Sequence, residues 1–305
     1  MRKSICVLGV FLLFTGFAFG LSEGAGGLSY TIAVSKFENR SNFSGQFSIS
    51  DTFTAILTDS LHQTGKFVVL GEKDMRKEAM GEQDFGESGR VAKGGKTPAT
   101  GYMTPAQLLV KGEITHFQHS TTGGDTKIRI KGFNIGGGTD HAEINVVVYV
   151  IDSTTGQVIS SKKVMGKASR SGVDVGYADK DWGADLGGFK KTNVGKAVEK
   201  AVDEAVKFIA EQTKDLPWTA SVVMVKEGGL VYINRGSREG IKTGMEFNVG
   251  SAEDVRDPDT GELLESVFEK KATVVVQTVK EKLTICKIAE GGGDIEKGMT
   301  VRLPE

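Results

Sequence analysis

The chain has 305 residues, of which 39% are hydrophobic and 25% are charged, and its formal net charge is −1. This near-neutral balance disfavours nucleic acid and anionic lipid as partners, and the length leaves room for two folded domains. Forty-one glycines against five prolines favour turns and close-packed strands over disorder.

The amino terminus is typical of a secretory signal peptide. Arg2 and Lys3 precede an apolar run that ends in small residues, which predicts cleavage after Gly20 and export of the protein. A signal anchor or a buried helix is the alternative, but the run is short for a membrane span. Cys6 precedes the apolar run, so the chain does not have the cleavage-site cysteine of a lipoprotein. The mature chain keeps only Cys286, which cannot form an internal disulfide.

After the signal peptide (residues 1–20) and a glycine-rich leader (21–28), alternating strand and helix patterns predict one domain over 29–216. Strands are expected over 30–37, 66–70, 108–116, about 143–152 and 158–167. Helices are expected from a cap at Ser50 or Asp51 to Gly65, from Glu72 to about Met80, and from a cap at Asn193 to about Thr213. Residues 85–102 are expected to form a loop. This order predicts an α+β fold, a sheet with packed helices.

Two glycine-rich alternating segments, at about 121–138 and 169–189, interrupt this order and predict inserted β-hairpins. Such hairpins could line a β-barrel wall, with the apolar face toward lipid and the polar face toward the lumen, or form an exposed ribbon on a soluble oligomer. The candidate lipid-facing residues are Ile128, Ile130, Val173, Val175, Tyr177, Trp182, Ala184 and Leu186. The candidate lumen-facing residues are Lys127, Arg129, Lys131, Arg170, Asp174 and Asp185.

From residue 220 to 305 the pattern changes to short strands separated by glycine-rich turns. Strands are expected over 222–226, 230–234, 246–250, 271–279 and 283–289. The pattern predicts a small all-β, barrel-like C-terminal domain.

No catalytic, cofactor or metal site is predicted. His116, His119, His141 and Glu143 are near one another in the sequence, but no further ligand spacing supports a metal centre. The acidic run that starts at Asp257 does not fit an EF-hand loop and is better explained by a β-turn. No nucleophile elbow or Ser/His/Asp set is present, which disfavours an enzyme.

Several motifs resemble the curli production assembly/transport (CsgG-type) family. They are IAVSKFENRSN at residues 32–42, FVVLGEKDM at 67–75, GEQ at 81–83, LVKGEITHF at 109–117 and NVVVYVIDSTTGQV at 145–158. The resemblance covers about residues 29–213. The C-terminal stretch VYINRGSREGIKTGMEF at 231–247 resembles a domain of the flagellar assembly protein T.

The CsgG-type resemblance implies an exported, ring-forming, outer-membrane-associated secretion or assembly component. In that family each protomer gives two β-hairpins to a shared barrel that passes unfolded polypeptide, and the two inserted segments stand where those hairpins stand. The implied partners are other copies of the chain, the outer membrane, other envelope proteins or the exported polypeptide. The alternative is a soluble periplasmic structural or adaptor protein of an envelope or flagellum-like assembly, without a pore.

Overall fold

The fold is taken from a computed structural model, which describes residues 28–44, 47–92, 97–101, 103–123, 128–130, 133–174, 192–214, 216–261 and 263–304. Within these residues the fold is of the α+β class, as the sequence predicts. The predicted signal peptide and leader lie outside the described residues, apart from Leu28. No helix in the described ranges is both long enough and apolar enough to cross a membrane.

The first part of the chain forms one sheet with three helices. Its helices are α1 (Ile49–Gln63), α2 (Lys73–Glu87) and α3 (Asn193–Gln212). Its strands are β1 (Tyr30–Val34), β2 (Glu38–Asn39), β3 (Phe67–Leu70), β4 (Leu108–Gly123), β5 (Ile128–Ile130), β6 (Phe133–Asp152) and β7 (Val158–Asp174).

The order of the long strands across this sheet is β3-β1-β4-β6-β7. β1 is parallel to β3 and β4, whereas β4, β6 and β7 pair antiparallel to one another. Because β1 is central, all five of its residues are buried. Helices α1 and α3 contact each other, and α3 covers β6 and β7.

Helix α3 lies unusually close to the sheet. Its buried face consists largely of alanine and valine, and the side chain of Thr192 accepts a hydrogen bond from Gly195 N at 3.0 Å as the N-cap. Gly166 of β7 faces the helix, where a Cβ would come within 1.7 Å of the backbone oxygen of Ala197. Small side chains on both elements therefore set this spacing.

The second part of the chain is a closed six-stranded barrel in the order β10-β11-β12-β9-β8-β13. Its strands are β8 (Thr219–Lys226), β9 (Leu230–Ile233), β10 (Glu246–Arg256), β11 (Leu263–Val279), β12 (Thr284–Gly291) and β13 (Thr300–Arg302). Cys286 is fully buried in its core, and this burial raises the pKa of the thiol to about 12. The barrel-like fold expected for the C-terminal part is confirmed.

The barrel touches the sheet through the turn between β9 and β10. Ser29 N donates to the backbone oxygen of Glu239 at 2.8 Å, and the hydroxyl of Tyr30 donates to the backbone oxygen of Leu216. These contacts lie at the end of the sheet where β1 begins.

Several predicted element bounds were wrong. Helix α1 is capped by Ser48 rather than Ser50 or Asp51, and α3 by Thr192 rather than Asn193, so each helix begins earlier than its predicted cap allows. Helix α2 continues to Glu87, into the expected loop. Strand β13 was not predicted.

Candidate functional site: the strand extension beyond helix α3

Strands β4, β6 and β7 continue past the level at which helix α3 begins. Strand β6 has 20 residues and β7 has 17. Thr121 of β4, Asp140 of β6 and Arg170 of β7 lie side by side in register. We call the part of the sheet from this row outward the strand extension, and it consists of residues 121–123, 133–140 and 170–174 together with β5.

The strand extension is continuous with the sheet. Gly123 pairs with Gly138, and after residues 124–127 the pairing resumes between Ile128 and Ile135. The first predicted hairpin, 121–138, is therefore the outer part of β4 and β6 rather than a separate insertion between shorter strands.

A row of glycines crosses the base of the strand extension. Gly138 pairs with Gly123 on one side and with Gly172 on the other. Three glycines side by side leave a line across the sheet without side chains, and glycine within a strand often marks a sharp bend. The sheet can therefore bend most easily at this row.

Helix α3 begins at the level of the row formed by Thr121, Asp140 and Arg170. The side-chain amide of Asn193, its first residue, donates to the backbone oxygen of Asp140 at 3.1 Å. Ala142 and Ala168 pair with each other two residues farther into the sheet. Both are buried in the hydrophobic core to which helix α3 also contributes. The helix therefore covers the sheet body, and its first turn is joined to the row where the strand extension starts.

Charged side chains form a polar belt at this level, consisting of His119, Asp140, His141, Glu143 and Lys167. His119 Nε2 lies 2.8 Å from a carboxylate oxygen of Asp140, and Lys167 Nζ lies 3.1 Å from Glu143. His141 Nε2 is 3.9 Å from the same Glu143 oxygen. The hydrogen bond from Lys167 lowers the pKa of the Glu143 carboxyl.

The polar belt was not predicted as a unit. In the sequence, His116, His119, His141 and Glu143 suggest nothing beyond metal ligands, and within the described ranges no group of three or more His, Cys, Asp or Glu side chains could hold an ion. Because side chains alternate along β6, Asp140 lies on one face of the sheet with His119, whose partner Ala142 is two residues farther along β6, and His141 lies on the other face with Glu143 and its partner Lys167.

The predicted hairpin residues fall partly within the strand extension. The backbone of Ile128, Arg129 and Ile130 lies in β5, and that of Arg170, Val173 and Asp174 lies in β7. The remaining predicted residues lie outside the described residues: Lys127, Lys131, Val175, Tyr177, Trp182, Ala184, Asp185 and Leu186. Most of the second predicted hairpin, 169–189, is therefore beyond the described part of β7.

Two surface cavities elsewhere lack the features of a catalytic site. One, of about 510 Å³, is lined by charged side chains that already pair, including Lys36 with Asp51 at 2.6 Å and Arg40 with Glu38 at 2.7 Å. The other, of about 330 Å³, lies between α1 and β3. In the second cavity the hydroxyl of Thr58 donates to the backbone oxygen of Thr54 at 2.8 Å, so it is not paired with His62.

Some known structures share parts of this fold. A hypothetical protein from Chlamydia trachomatis, CT253, is 15% identical over 60% of this chain and 98% of its own, with a TM-score of 0.36. The PelC dodecamer from Paraburkholderia phytofirmans is 10% identical over 58% of this chain and 86% of its own, with a TM-score of 0.29. The LpoB C-terminal domain from Salmonella enterica is 17% identical over 46% of this chain and 86% of its own, with a TM-score of 0.25.

The sequence comparison is more decisive than these partial structural similarities. No curated protein matches the chain. The resemblance of the C-terminal stretch to flagellar assembly protein T is not confirmed. The model of the curli production assembly/transport component family matches residues 22–242. This match covers most of the chain and extends beyond the expected 29–213 into the barrel. The chain therefore belongs to the CsgG family, whose members are transport and assembly components of the cell envelope rather than enzymes.

Proposed function

We propose that this protein is an exported, ring-forming secretion component whose strand extension enters the outer membrane and forms part of a pore for polypeptide. The observation that carries the proposal is that β4, β6 and β7 continue, in register, past the level of the first turn of helix α3. One protomer offers too few strands to close a barrel, and open strand edges are not tolerated in lipid. Several copies must therefore share one barrel.

The length of the strand extension supports this proposal. From Asp140 to Phe133, β6 has eight residues, close to the 9–11 residues that a tilted membrane strand needs. The polar belt at Asp140 and Glu143 would then lie at the water-facing boundary, where charged side chains remain solvated.

The glycine row also supports a barrel. A sheet that closes into a barrel must curve, and glycine within strands is one of the means by which sheets curve sharply. Gly123, Gly138 and Gly172 place such a bend at the foot of the strand extension.

On this proposal the two faces have different neighbours. Ile128 and Ile130 contact lipid together with Val173, and the second hairpin adds Val175, Tyr177, Trp182, Ala184 and Leu186. The residues that would line the lumen are Lys127, Arg129, Lys131, Arg170, Asp174 and Asp185. A pore lined by both signs of charge suits a polypeptide better than a single ionic species.

Fractionation and conductance test the proposal together. We expect the native protein in the outer-membrane fraction, and we expect the detergent-purified protein to produce discrete conductance steps in planar bilayers. The double variant Val175→Asp, Leu186→Asp should lose both properties, because a charged side chain on a lipid-facing strand is destabilising, by about 2–4 kcal/mol for Arg or Lys near the bilayer midplane and by less for Asp.

The matched control is the double variant Leu264→Asp, Val267→Asp, which adds the same two charges at exposed positions of the barrel. The control variant should behave as the wild type does. A protein found wholly in the soluble periplasmic fraction, without conductance, would instead establish the alternative, a soluble scaffold or adaptor of an envelope assembly.

A further inference from the structure

Strands β10 and β11 extend beyond the other strands of the barrel. Strand β13 pairs with β10 only from Asn248 to Gly250, and β12 pairs with β11 only from Ala272 onward. Past these points β10 and β11 pair only with each other among the described strands. We call this two-stranded part the barrel arm, and it consists of residues 251–256 and 263–269.

The tip of the barrel arm is held by its own hydrogen bonds. The carboxylate of Asp257 accepts from Asp259 N at 2.8 Å and from Thr260 N at 2.9 Å, and Gly261 N donates to the backbone oxygen of Asp257 at 2.9 Å. The arm is therefore ordered, while its outer edges face no other described strand. A two-stranded hairpin is marginally stable in water, so a third strand would stabilise the arm.

One face of the barrel arm combines exposed valines with unpaired carboxylates. Residues directly opposite on antiparallel strands share a face, so Val255 lies beside Glu265 and Val267 lies beside Glu253. The two valines are 44% and 50% exposed. Neither glutamate forms an ion pair with any residue that the structure describes. This face therefore presents apolar surface and negative charge together.

The other face of the barrel arm uses its groups within the chain. Phe268 lies there opposite Ala252, and the guanidinium carbon of Arg302 is 4.7 Å from the centroid of the Phe268 ring. Asp254 of the same face forms an ion pair with Arg256 at 3.0 Å. The valine face is therefore the one that lacks partners.

The β11 edge of the barrel arm lacks the usual protection of an open edge. Natural sheets protect such edges with lysine, proline or a bulge. From Leu263 to Glu269 the strand has neither lysine nor proline, and its bulge, at Leu264, lies next to the tip. From Glu265 to Glu269 the register with β10 is continuous. This edge can therefore accept a further strand.

The charge of the barrel arm selects the strand that can be added. Two β11 edges paired antiparallel about Val267 would place Glu265 opposite Glu269, and like charges directly opposite are destabilising. The arm therefore repels the same edge of a second copy and attracts a basic segment. Its two strands carry one basic residue, Arg256, and four acidic residues: Glu253, Asp254, Glu265 and Glu269.

We infer that the barrel arm binds an extended segment of a different protein, which adds as a strand to the β11 edge and has basic and apolar side chains on one face. A basic residue lies opposite Glu265 and an apolar residue opposite Val267. Backbone hydrogen bonds to the edge provide affinity, and these two side chains provide specificity. This binding site is separate from the proposed pore, because the barrel contacts the sheet where β1 begins and the strand extension is at the opposite end.

A pair of synthetic heptapeptides tests the site. The basic peptide is TKVVTKT, and its matched control is the acidic peptide TEVVTET, of the same length and strand pattern. We expect the protein purified in detergent to bind the labelled basic peptide saturably in fluorescence anisotropy and the acidic peptide at least tenfold more weakly. Absence of saturable binding, or equal binding of both peptides, would overturn the inference.

Hydrogen exchange followed by mass spectrometry locates the bound peptide. Because an added strand pairs with backbone groups of the edge, saturation with the basic peptide should slow amide exchange within residues 263–269. The strand extension should exchange as it does without peptide. Protection of the strand extension alone would place the peptide elsewhere and contradict the inference.

A charge reversal tests the specificity of the edge. Glu265→Lys should weaken binding of the basic peptide at least tenfold and should bind the acidic peptide more tightly than the wild type does. The matched control is Glu281→Lys, which makes the same change at an exposed residue between β11 and β12. This control should bind both peptides as the wild type does. Equal losses in the two variants would show that only net charge matters.

Failure of this inference and failure of the proposed function give different results. The double variant Leu264→Asp, Val267→Asp should lose the basic peptide at the barrel arm and keep the conductance of the wild type. A wild-type protein that conducts but binds no peptide would leave the pore standing and refute the binding site. A wild-type protein that binds the peptide at 263–269 without conductance would do the reverse.

Discussion

At the scale of single residues, the packing of helix α3 depends on one glycine. Gly166 pairs with Ile144 in the middle of the sheet body and faces the first half of the helix. Any side chain there meets the helix backbone, because a Cβ would lie 1.7 Å from the oxygen and 2.8 Å from the carbonyl carbon of Ala197. Backbone atoms cannot move aside as a flexible side chain does, so the whole helix must shift.

We therefore predict that Gly166→Ala lowers the free energy of unfolding by about 3 kcal/mol or more, as overpacking of a close contact does. Urea titration followed by far-UV circular dichroism measures this change. The matched control is Gly81→Ala in α2, where an added Cβ meets nothing within 4 Å. Alanine there should stabilise the protein by about 0.5–1 kcal/mol. Equal stability of the two variants would show that α3 is not held against the strand by this contact.

At the scale of elements, the sequence predicts the strands and helices better than it predicts where they end. Alternation identifies β4, β6 and β7, but it does not reveal that they continue as single strands of 16, 20 and 17 residues. In the sequence, the glycines at 123 and 138 flank the first predicted hairpin and Gly172 lies within the alternation of the second. In the sheet they pair with one another, so their pairing partners rather than their identity decide the local structure.

The ends of helices are also hard to predict from the sequence, both where several cap residues compete and where a helix is exposed. Ser48, Ser50 and Asp51 are all good cap residues, and only the backbone geometry selects Ser48, whose side chain accepts from Asp51 N at 3.3 Å. Helix α2 has little apolar periodicity because no residue of it is buried in one protomer. Its length therefore could not be read from a core-facing pattern.

The glycine row makes a prediction about curvature. In Gly138→Val a branched side chain occupies the middle of the row, which stiffens the sheet where the proposed barrel must bend. We expect the variant to fold with an unchanged circular dichroism spectrum and to lose at least about tenfold of its membrane-inserted assembly, because curvature of the sheet is needed for closure. Quantification of assembled and single protomers from detergent extracts measures the loss.

The neighbouring position provides the control for that experiment. Thr139 pairs with Thr122 and Ser171 rather than with glycine, and valine suits a strand at such a position. Thr139→Val should assemble as the wild type does. If Gly138→Val also assembled normally, the bend would have to lie elsewhere in the sheet.

At the scale of the whole molecule, the sheet and the barrel share one hydrophobic core. Trp218, 2% exposed, stacks on Phe247 of the barrel with ring centroids 5.3 Å apart and belongs to the same buried cluster as Tyr30 of the sheet. The junction is also held by a buried carboxylate. Glu239 is fully buried, and its carboxylate accepts from Gly236 N at 2.8 Å and from Arg238 Nη2 at 2.7 Å.

The same carboxylate affects a second guanidinium. Burial lowers the pKa of Arg235, and the nearby charge of Glu239 opposes that shift. Loss of Glu239 would leave two partly buried cations near the contact between Ser29 and the barrel. Removal of one partner from a buried ion pair costs about 3–5 kcal/mol, so this turn should control the stability of both parts of the chain.

Thermal unfolding tests whether the two parts unfold together. In a Trp182→Phe background, Trp218 is the only tryptophan, and its fluorescence reports the barrel, whereas far-UV circular dichroism at the helical minimum reports α1, α2 and α3. Because the core is continuous, we expect the two midpoints to coincide. Glu239→Ala should lower both midpoints together by more than about 6 °C, given about 2–4 °C per kcal/mol for a chain of this size. Glu265→Ala, which removes an exposed carboxylate from β11, should change neither. A barrel transition separated from the helical transition, or one that alone responds to Glu239→Ala, would mean that the barrel is an independent unit, with the junction acting only as a tether.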